Sequence, residues 1–351
     1  MANLCITSVC NQRCEYCFAR NGPVEDEVSF MPWDRFIAAL DLLQRSAVME
    51  ARLLGGEPTL HPEFPRMVAE IVSRGMKPLV FTNGRAPEPA LRAMEANRDS
   101  ITALLNVNFS EDLSAPDVSS QQTFLRRLRD RVCLSVSIYT PRMQSLLPLV
   151  ALIDTYGLAR SVRLGLAHGQ IGGSNHWLRP KQYHLAAPVI CEFVVRARAS
   201  GIHVSFDCGF VPCMFPDESM AMLREMGIQI RGTCEPVLDV LPTGQIVYCY
   251  PLAALYRESL AGATDRESLR RQFQIWFSEY RCATIFKKCM ICLVRGTSEC
   301  TGGCLAASLS RLRHREVAAV SGVNTSPLIP PPINLGAAAN TVIGLEGVPN
   351  P

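Results

Sequence analysis

The sequence has little net charge, few aromatics and no long apolar run. Its formal charge is +3 over 351 residues and no Lys/Arg run stands out, so neither nucleic acid nor an anionic membrane surface is called for as a partner. The N-terminus, MANLCITSVC, lacks a basic stretch ahead of an apolar one, which excludes a readable secretory signal. The most apolar window, residues 146–158, is broken by Pro148 and Asp154 and is too short to span a bilayer. The histidines form no ligand spacing, and no internal repeat is present.

What is present in excess is cysteine, at fifteen residues. Disulfide scaffolds are short and exported, and this chain shows neither trait. The expectation is therefore a reducing cytoplasm, with thiolates used as metal ligands. A composition that is 48% hydrophobic can bury a sizeable core, and the length suggests two domains.

The first two-thirds alternate strand and helix signals. Short β-branched or Leu-rich runs fall at 4–9, 51–54, 78–82, 101–109, 132–139 and 162–167. Amphipathic stretches at 33–45, 63–74, 89–96, 122–129, 143–156 and 180–199 separate them. Such alternation predicts an α/β fold of parallel strands with crossover helices. Six units are too few for a closed eight-stranded barrel, so a partial (β/α)6 TIM-like barrel over residues 1–205 is expected. A loop-rich, cysteine-rich domain would follow over 206–318, where metal centres would staple a segment with too little core of its own. The stretch 319–351 is Pro/Gly-rich and is expected to be a disordered tail.

Cys10, Cys14 and Cys17 stand on a loop just past the first strand, in the spacing CxxxCxxC. Three thiolates this close can converge on one 4Fe–4S cube and leave its fourth iron open. An open position can bind a ligand, as in catalytic zinc sites. The competing reading is a zinc site completed by a distant ligand. At the end of the second strand, Gly55, Gly56, Glu57 and Pro58 combine backbone that a ligand can approach closely with a carboxylate.

Together these motifs resemble the radical S-adenosylmethionine (radical SAM) superfamily, whose GGEP motif contacts the methionine amino group. Asn83, in Thr82-Asn83-Gly84, resembles a further family feature. The resemblance implies S-adenosylmethionine as cofactor and reductive cleavage to a 5′-deoxyadenosyl radical that abstracts a substrate hydrogen. A flavodoxin- or ferredoxin-type reductant is implied with it. Strand alternation adds further candidates for the ribose and carboxylate. If the apolar faces meet the outer helices, then Asn106, Asn108, Ser135, Ser137 and Arg163 face the interior, where polar groups are costly unless they meet water or a ligand.

Towards the C-terminus, Cys234-x9-Gly244-x4-Cys249 precedes Cys289-x2-Cys292-x7-Cys300-x3-Cys304. This resembles the SPASM extension of the superfamily and implies one or two auxiliary 4Fe–4S clusters. By the family's wiring one cluster would use Cys234, Cys249 and Cys304, with Cys213 or Cys208 upstream as fourth ligand. The other would use Cys289, Cys292 and Cys300. Its usual last ligand is missing, because no cysteine follows Cys304, and Cys282 could replace it. The gap after Cys292 also exceeds the family's usual spacing.

Relatives with such extensions mostly modify peptides by crosslinking, thioether formation, epimerisation or oxidation. The expectation is thus a peptide maturase. The alternative is a radical dehydrogenase or cofactor-biosynthesis enzyme acting on a small molecule. Tyr250 stands where sulfatase-maturing relatives carry Asp, which lowers that reading; Tyr250 or Cys208 could serve as a hydrogen donor. Only nine residues precede Cys10, so a peptide substrate is expected to need a separate recognition protein, the enzyme's own surface, or no leader at all.

Overall fold

The computed structural model describes residues 2–19, 28–108, 114–171 and 173–310. The tail expected to be disordered lies outside these residues. Seven strands alternate with six helices: β1 (Asn3–Thr7), α1 (Trp33–Arg45), β2 (Glu50–Gly55), α2 (Phe64–Ser73), β3 (Lys77–Thr82), α3 (Glu88–Ala96), β4 (Thr102–Asn106), α4 (Ala115–Leu128), β5 (Val132–Ile138), α5 (Pro148–Tyr156), β6 (Ser161–Leu166), α6 (Tyr183–Ala199) and β7 (His203–Phe206). Further elements follow: α7 (Asp217–Glu225), β8 (Asp239–Val240), β9 (Gln245–Val247), β10 (Arg257–Ser259) and α8 (Arg266–Trp276).

The helices form where apolar residues recur at helical spacing. In α1, Phe36, Ala39, Leu40 and Leu43 are buried on one face. Full burial of each larger side chain contributes about 1.5–3 kcal/mol. α5 starts later than its amphipathic pattern suggests, at Pro148. A proline ring is pre-set for the first helical turn and obstructs a turn placed before it.

The strands make one ten-stranded sheet in the order β10-β9-β8-β1-β2-β3-β4-β5-β6-β7. Neighbours from β1 to β7 are parallel, which gives the expected α/β architecture of parallel strands with crossover helices. Two features exceed the sequence reading. A seventh parallel strand, β7, runs across the expected boundary at 205/206 and pairs with β6. β8, well inside the cysteine-rich region, pairs parallel with β1 and carries β9 and β10 antiparallel beside it. The cysteine-rich region therefore extends the same sheet.

One face of the sheet is apolar and lies under the helices: Leu105, Leu134, Val136, Val162 and Leu164 belong to the buried core. The opposite face carries a row set by register, in which Asn106 pairs with Ser135, Ser135 with Arg163 and Arg163 with Ser205. This is the polar row that alternation predicts. Among the described residues no helix is long and apolar enough to cross a membrane.

Candidate active site

The loop bearing Cys10, Cys14 and Cys17 leaves the C-terminal end of β1, where parallel α/β sheets characteristically build their sites. It is seated on the end of β2. The N–H of Gly56 donates to the Thr7 carbonyl at 2.7 Å and that of Glu57 to the Val9 carbonyl at 2.8 Å. A Cβ at Gly55 would stand 2.1 Å from the Thr7 oxygen, and one at Gly56 would stand 2.2 Å from the Val9 oxygen. Only glycine lets the two backbones approach this closely.

Glu57 occupies a different position from the one its sequence suggests. Its side chain is 1% exposed, and its carboxylate ties two segments together. Oε1 accepts from the Thr59 hydroxyl at 2.6 Å, the Thr59 N–H at 3.2 Å and the Thr82 hydroxyl at 2.8 Å. Oε2 accepts from the Asn83 N–H at 2.8 Å. Burial raises its pKa, against the pull of these donors. The carboxylate is a keystone between β2 and β3, and only Oε2, with its single bond, keeps an acceptor position for an ammonium. Pro58 opens the buried 3-10 turn that follows.

The turn after β3 grips the cysteine loop from the other side. Asn83 Nδ2 donates to Asn11 Oδ1 at 2.8 Å and lies 4.0 Å from Cys10 Sγ. Arg85 Nη1 reaches the Asn11 carbonyl at 2.6 Å, and its other end pairs with Asp117 at 2.6 Å.

A third set of contacts comes from the interior row. Ser137 Oγ donates to Asn106 Oδ1 at 3.3 Å, and Asn106 Nδ2 donates to the Tyr16 hydroxyl at 2.6 Å. That hydroxyl donates to Asn108 Oδ1, and Asn108 Nδ2 donates to Cys14 Sγ at 3.4 Å. Three of the predicted interior residues thus form a chain of hydrogen bonds ending on a thiol of the loop. Burial, reinforced by the nearby Cys14, pushes the Tyr16 phenol up. Ser135 is buried in the same row. Arg163 is held otherwise: its guanidinium pairs with Asp207 at 2.5 Å and lies 5.3 Å from the centre of the Phe81 ring, so its charge is matched within the protein.

The sequence of residues 4–129 matches the model of the radical SAM superfamily. Residues 4–129 are a radical SAM domain. Over 81 residues the chain is 42% identical to the tungsten-containing aldehyde ferredoxin oxidoreductase cofactor-modifying protein of Pyrococcus furiosus, covering 22% of each chain. Over 107 residues it is 32% identical to the GTP 3′,8-cyclase of Chlorobaculum tepidum, covering 29% of this chain and 32% of that one. The chain therefore spans less than a third of these curated relatives. Its fold is similar to that of Streptococcus suis SuiB, solved with precursor peptide SuiA and with S-adenosylmethionine. The TM-scores are 0.64 and 0.63 at 14% identity, over 87% of this chain and 71% and 72% of those.

A radical SAM domain implies S-adenosylmethionine and a 4Fe–4S cluster as cofactors. The residues present fit them. Three thiols project from one pinned loop, amide N–H groups aim at two of the sulfurs, and glycine backbone borders the loop. Among the described residues no three Cys, His, Asp or Glu side chains converge as closely as a single metal ion needs. A cube binds each thiolate through a different iron and calls for a wider spread.

Some of the remaining cysteines also come together near the sheet. Burial and the neighbouring Cys234, Asp239, Cys304 and Cys208 push the Cys249 thiol up. Burial and Cys304 raise that of Cys234 to about 11. Cys208, Cys234, Cys249 and Cys304 therefore form one group, and of the two upstream candidates Cys208 is the one that joins it. Cys213 stands instead within electrostatic reach of Cys289 and Cys300. Cys282 is exposed and donates to the Glu279 carbonyl at 3.3 Å, while Cys292 is exposed on the same segment. Tyr250 is buried, its backbone N–H bonded to Asp239 at 2.6 Å and its ring 5.5 Å from Phe18.

Sequence reasoning passed over Tyr16, Asn11, Arg85 and His168. The first three lie beside recognised motifs and could be found by proximity to them. His168 has no local signal, because its partners lie forty and more residues away.

Proposed function

We propose that this protein is a peptide-modifying radical SAM enzyme assisted by auxiliary iron–sulfur clusters, with a catalytic region that ends at β7 and a cysteine-rich auxiliary region after it. The observation that carries this reading is the joining of the two regions within one sheet. β8 pairs with β1, and Tyr250, beside Cys249, packs on Phe18, beside Cys17. The cysteine-rich region is thereby joined to the segment that carries the radical-site loop, an arrangement that would suit a second electron acceptor. A cavity of about 520 Å³ adjoins that loop, lined by Glu15, Tyr139, Trp177 and Arg179. Its aromatic and guanidinium lining suits a peptide segment. The likeness to SuiB, solved with a precursor peptide, supports the same substrate class.

When bound, the cluster and S-adenosylmethionine supply a carbon-centred radical that takes a hydrogen atom from substrate. The chain's own part is to hold and shield. Cys10, Cys14 and Cys17 would bind the cluster, with Asn83 and Asn108 aimed at its sulfur ligands. Gly55 and Gly56 would border the methionine end, and Ser135 and Asn106 the interior. The auxiliary ligands would be Cys208, Cys234, Cys249 and Cys304 in one site, and Cys289, Cys292 and Cys300 in the other, with Cys213 nearer to it than the first site. A flavodoxin- or ferredoxin-type protein would deliver the electron, and leader recognition would fall to a separate protein or to this surface.

Anaerobically reconstituted protein should carry about 8–12 irons per chain, at four per cluster. Once reduced, it should convert S-adenosylmethionine to 5′-deoxyadenosine, and Cys14→Ala should abolish this. Zinc with negligible iron would overturn the assignment. A second reading, a small-molecule enzyme, is favoured by the curated relatives named for cofactor and nucleotide chemistry. A mass change in a short peptide encoded beside the gene decides for the peptide; an unmodified peptide with turnover of a metabolite decides for the small molecule.

A further inference from the structure

His168 follows β6 at the C-terminal edge of the sheet and stands between two cysteines. Its Nε2 lies 3.5 Å from Cys208 Sγ, and its Nδ1 lies 3.4 Å from Cys304 Sγ. Both are hydrogen-bond distances to sulfur, and each ring nitrogen has its own. The ring is fixed from several sides. A Cβ at Gly209, where φ is +101°, would stand 2.5 Å from His168 Cε1, so the residue after Cys208 yields its side-chain space to the imidazole. Asn175 Nδ2 donates to the His168 carbonyl at 2.8 Å, and Ser310 Oγ donates to the Gly169 carbonyl at 2.9 Å. The same Asn175 amide reaches the Tyr16 carbonyl at 3.1 Å, which links this segment to the radical-site loop.

We propose that His168 is a positioning residue of the auxiliary site formed by Cys208, Cys234, Cys249 and Cys304, where it donates an N–H···S hydrogen bond to a cluster thiolate and raises the reduction potential. This rests on the auxiliary-cluster reading above. A neutral imidazole has one N–H and one bare nitrogen, and which nitrogen carries the proton depends on its partners. Whichever nitrogen carries the proton donates to a thiolate of this site, and the bare nitrogen meets the other sulfur without a hydrogen bond. Four thiolates satisfy the four irons of a cube, and neither nitrogen is left to bind iron, so the imidazole is a partner of the ligands. An N–H donor draws charge from a thiolate. It favours the reduced, more negative cluster, so its effect on potential is upward.

The test uses the full chain with Cys10, Cys14 and Cys17 changed to Ala, so that only auxiliary clusters report. Iron content and an EPR-monitored redox titration are compared for His168, His168→Leu and His168→Gln. The expected result is unchanged iron in all three. The midpoint potential of one cluster should shift negative in His168→Leu and return toward the parent in His168→Gln, which keeps an N–H donor. Should His168→Leu fail to fold, His168→Ala carries the same comparison. An unchanged midpoint in the Leu or Ala variant overturns the proposal. Loss of about four irons in both the Leu and Gln variants overturns it differently, by making His168 a ligand. A parent that binds no iron defeats the auxiliary-cluster reading itself, and is seen before any change at His168.

Discussion

Gly56 lies directly against the carbonyl of Val9, so close that a methyl group on its Cα would stand 2.2 Å from that oxygen. The contact sets the height of the cysteine loop above the end of β2. Gly56→Ala must therefore push two backbones apart, at about 3 kcal/mol or more, since neither is a flexible side chain. The expected outcome is a lower melting temperature and loss of the cluster at Cys10, Cys14 and Cys17, read as about four fewer irons per chain after reconstitution. Unchanged iron and stability would show that the loop does not depend on this approach.

Tyr16 joins the interior amides to the cysteine loop. Tyr16→Phe removes the hydroxyl that links Asn106 to Asn108 and leaves both amides short of a partner in a half-buried place. A cost of about 1–3 kcal/mol is expected, with a weakened hold on the Asn108–Cys14 contact. Denaturation and the EPR line shape of the radical-site cluster report the two effects separately. An unaltered line shape would leave Tyr16 with a packing role only.

The Glu57 carboxylate accepts four hydrogen bonds in a buried place. Glu57→Gln keeps the shape but turns an NH2 group towards donors, and hydrogen bonds to a charged group are the strong ones. A destabilisation of roughly 3 kcal/mol is expected in chemical denaturation. A loss below about 0.5 kcal/mol would mean that the carboxylate is not the tie its geometry indicates.

Asp239 gives a pH signature. Burial raises its carboxyl to about 6, although the Asn3 amide and the Tyr250 N–H pull it back. In the unfolded chain the value is about 3.9. Between about 4 and 6 the folded state binds more protons, so this group's contribution to stability is present below pH 4 and is lost as pH rises through about 6. The loss amounts to roughly 3 kcal/mol. Asp239→Asn removes it, and Asn3 can turn over, because its Oδ1 is buried with no partner among the described residues. The wild-type minus variant difference in unfolding free energy should fall by about that amount from pH 4 to pH 7. A flat difference would exclude the effect.

Some of the fold and site was legible because it is local. The strand runs at 51–54, 78–82 and 162–167 show their pattern within a few residues, and so do the amphipathic faces of α1 and α2. CxxxCxxC and Gly55–Pro58 are short enough to recognise whole. β7 was harder, because four residues lying next to a change in composition carry little signal. β8 is two residues long and exists through its pairing with β1.

The sequence by itself determined the α/β alternation, the close spacing of Cys10, Cys14 and Cys17 on one loop, and the glycine pair that admits a close backbone. Each of these depends on neighbours along the chain. Tertiary structure decided what depends on distance through space. It turned the Glu57 carboxylate inward to four donors and matched Arg163 with Asp207. It brought Cys208 rather than Cys213 to the group of Cys234, Cys249 and Cys304, and set His168 between two thiols forty and 136 residues away. The physical reason is that hydrogen bonds and electrostatic contacts form between whatever groups the packed sheet brings within a few ångströms, and that packing is not encoded in sequence spacing.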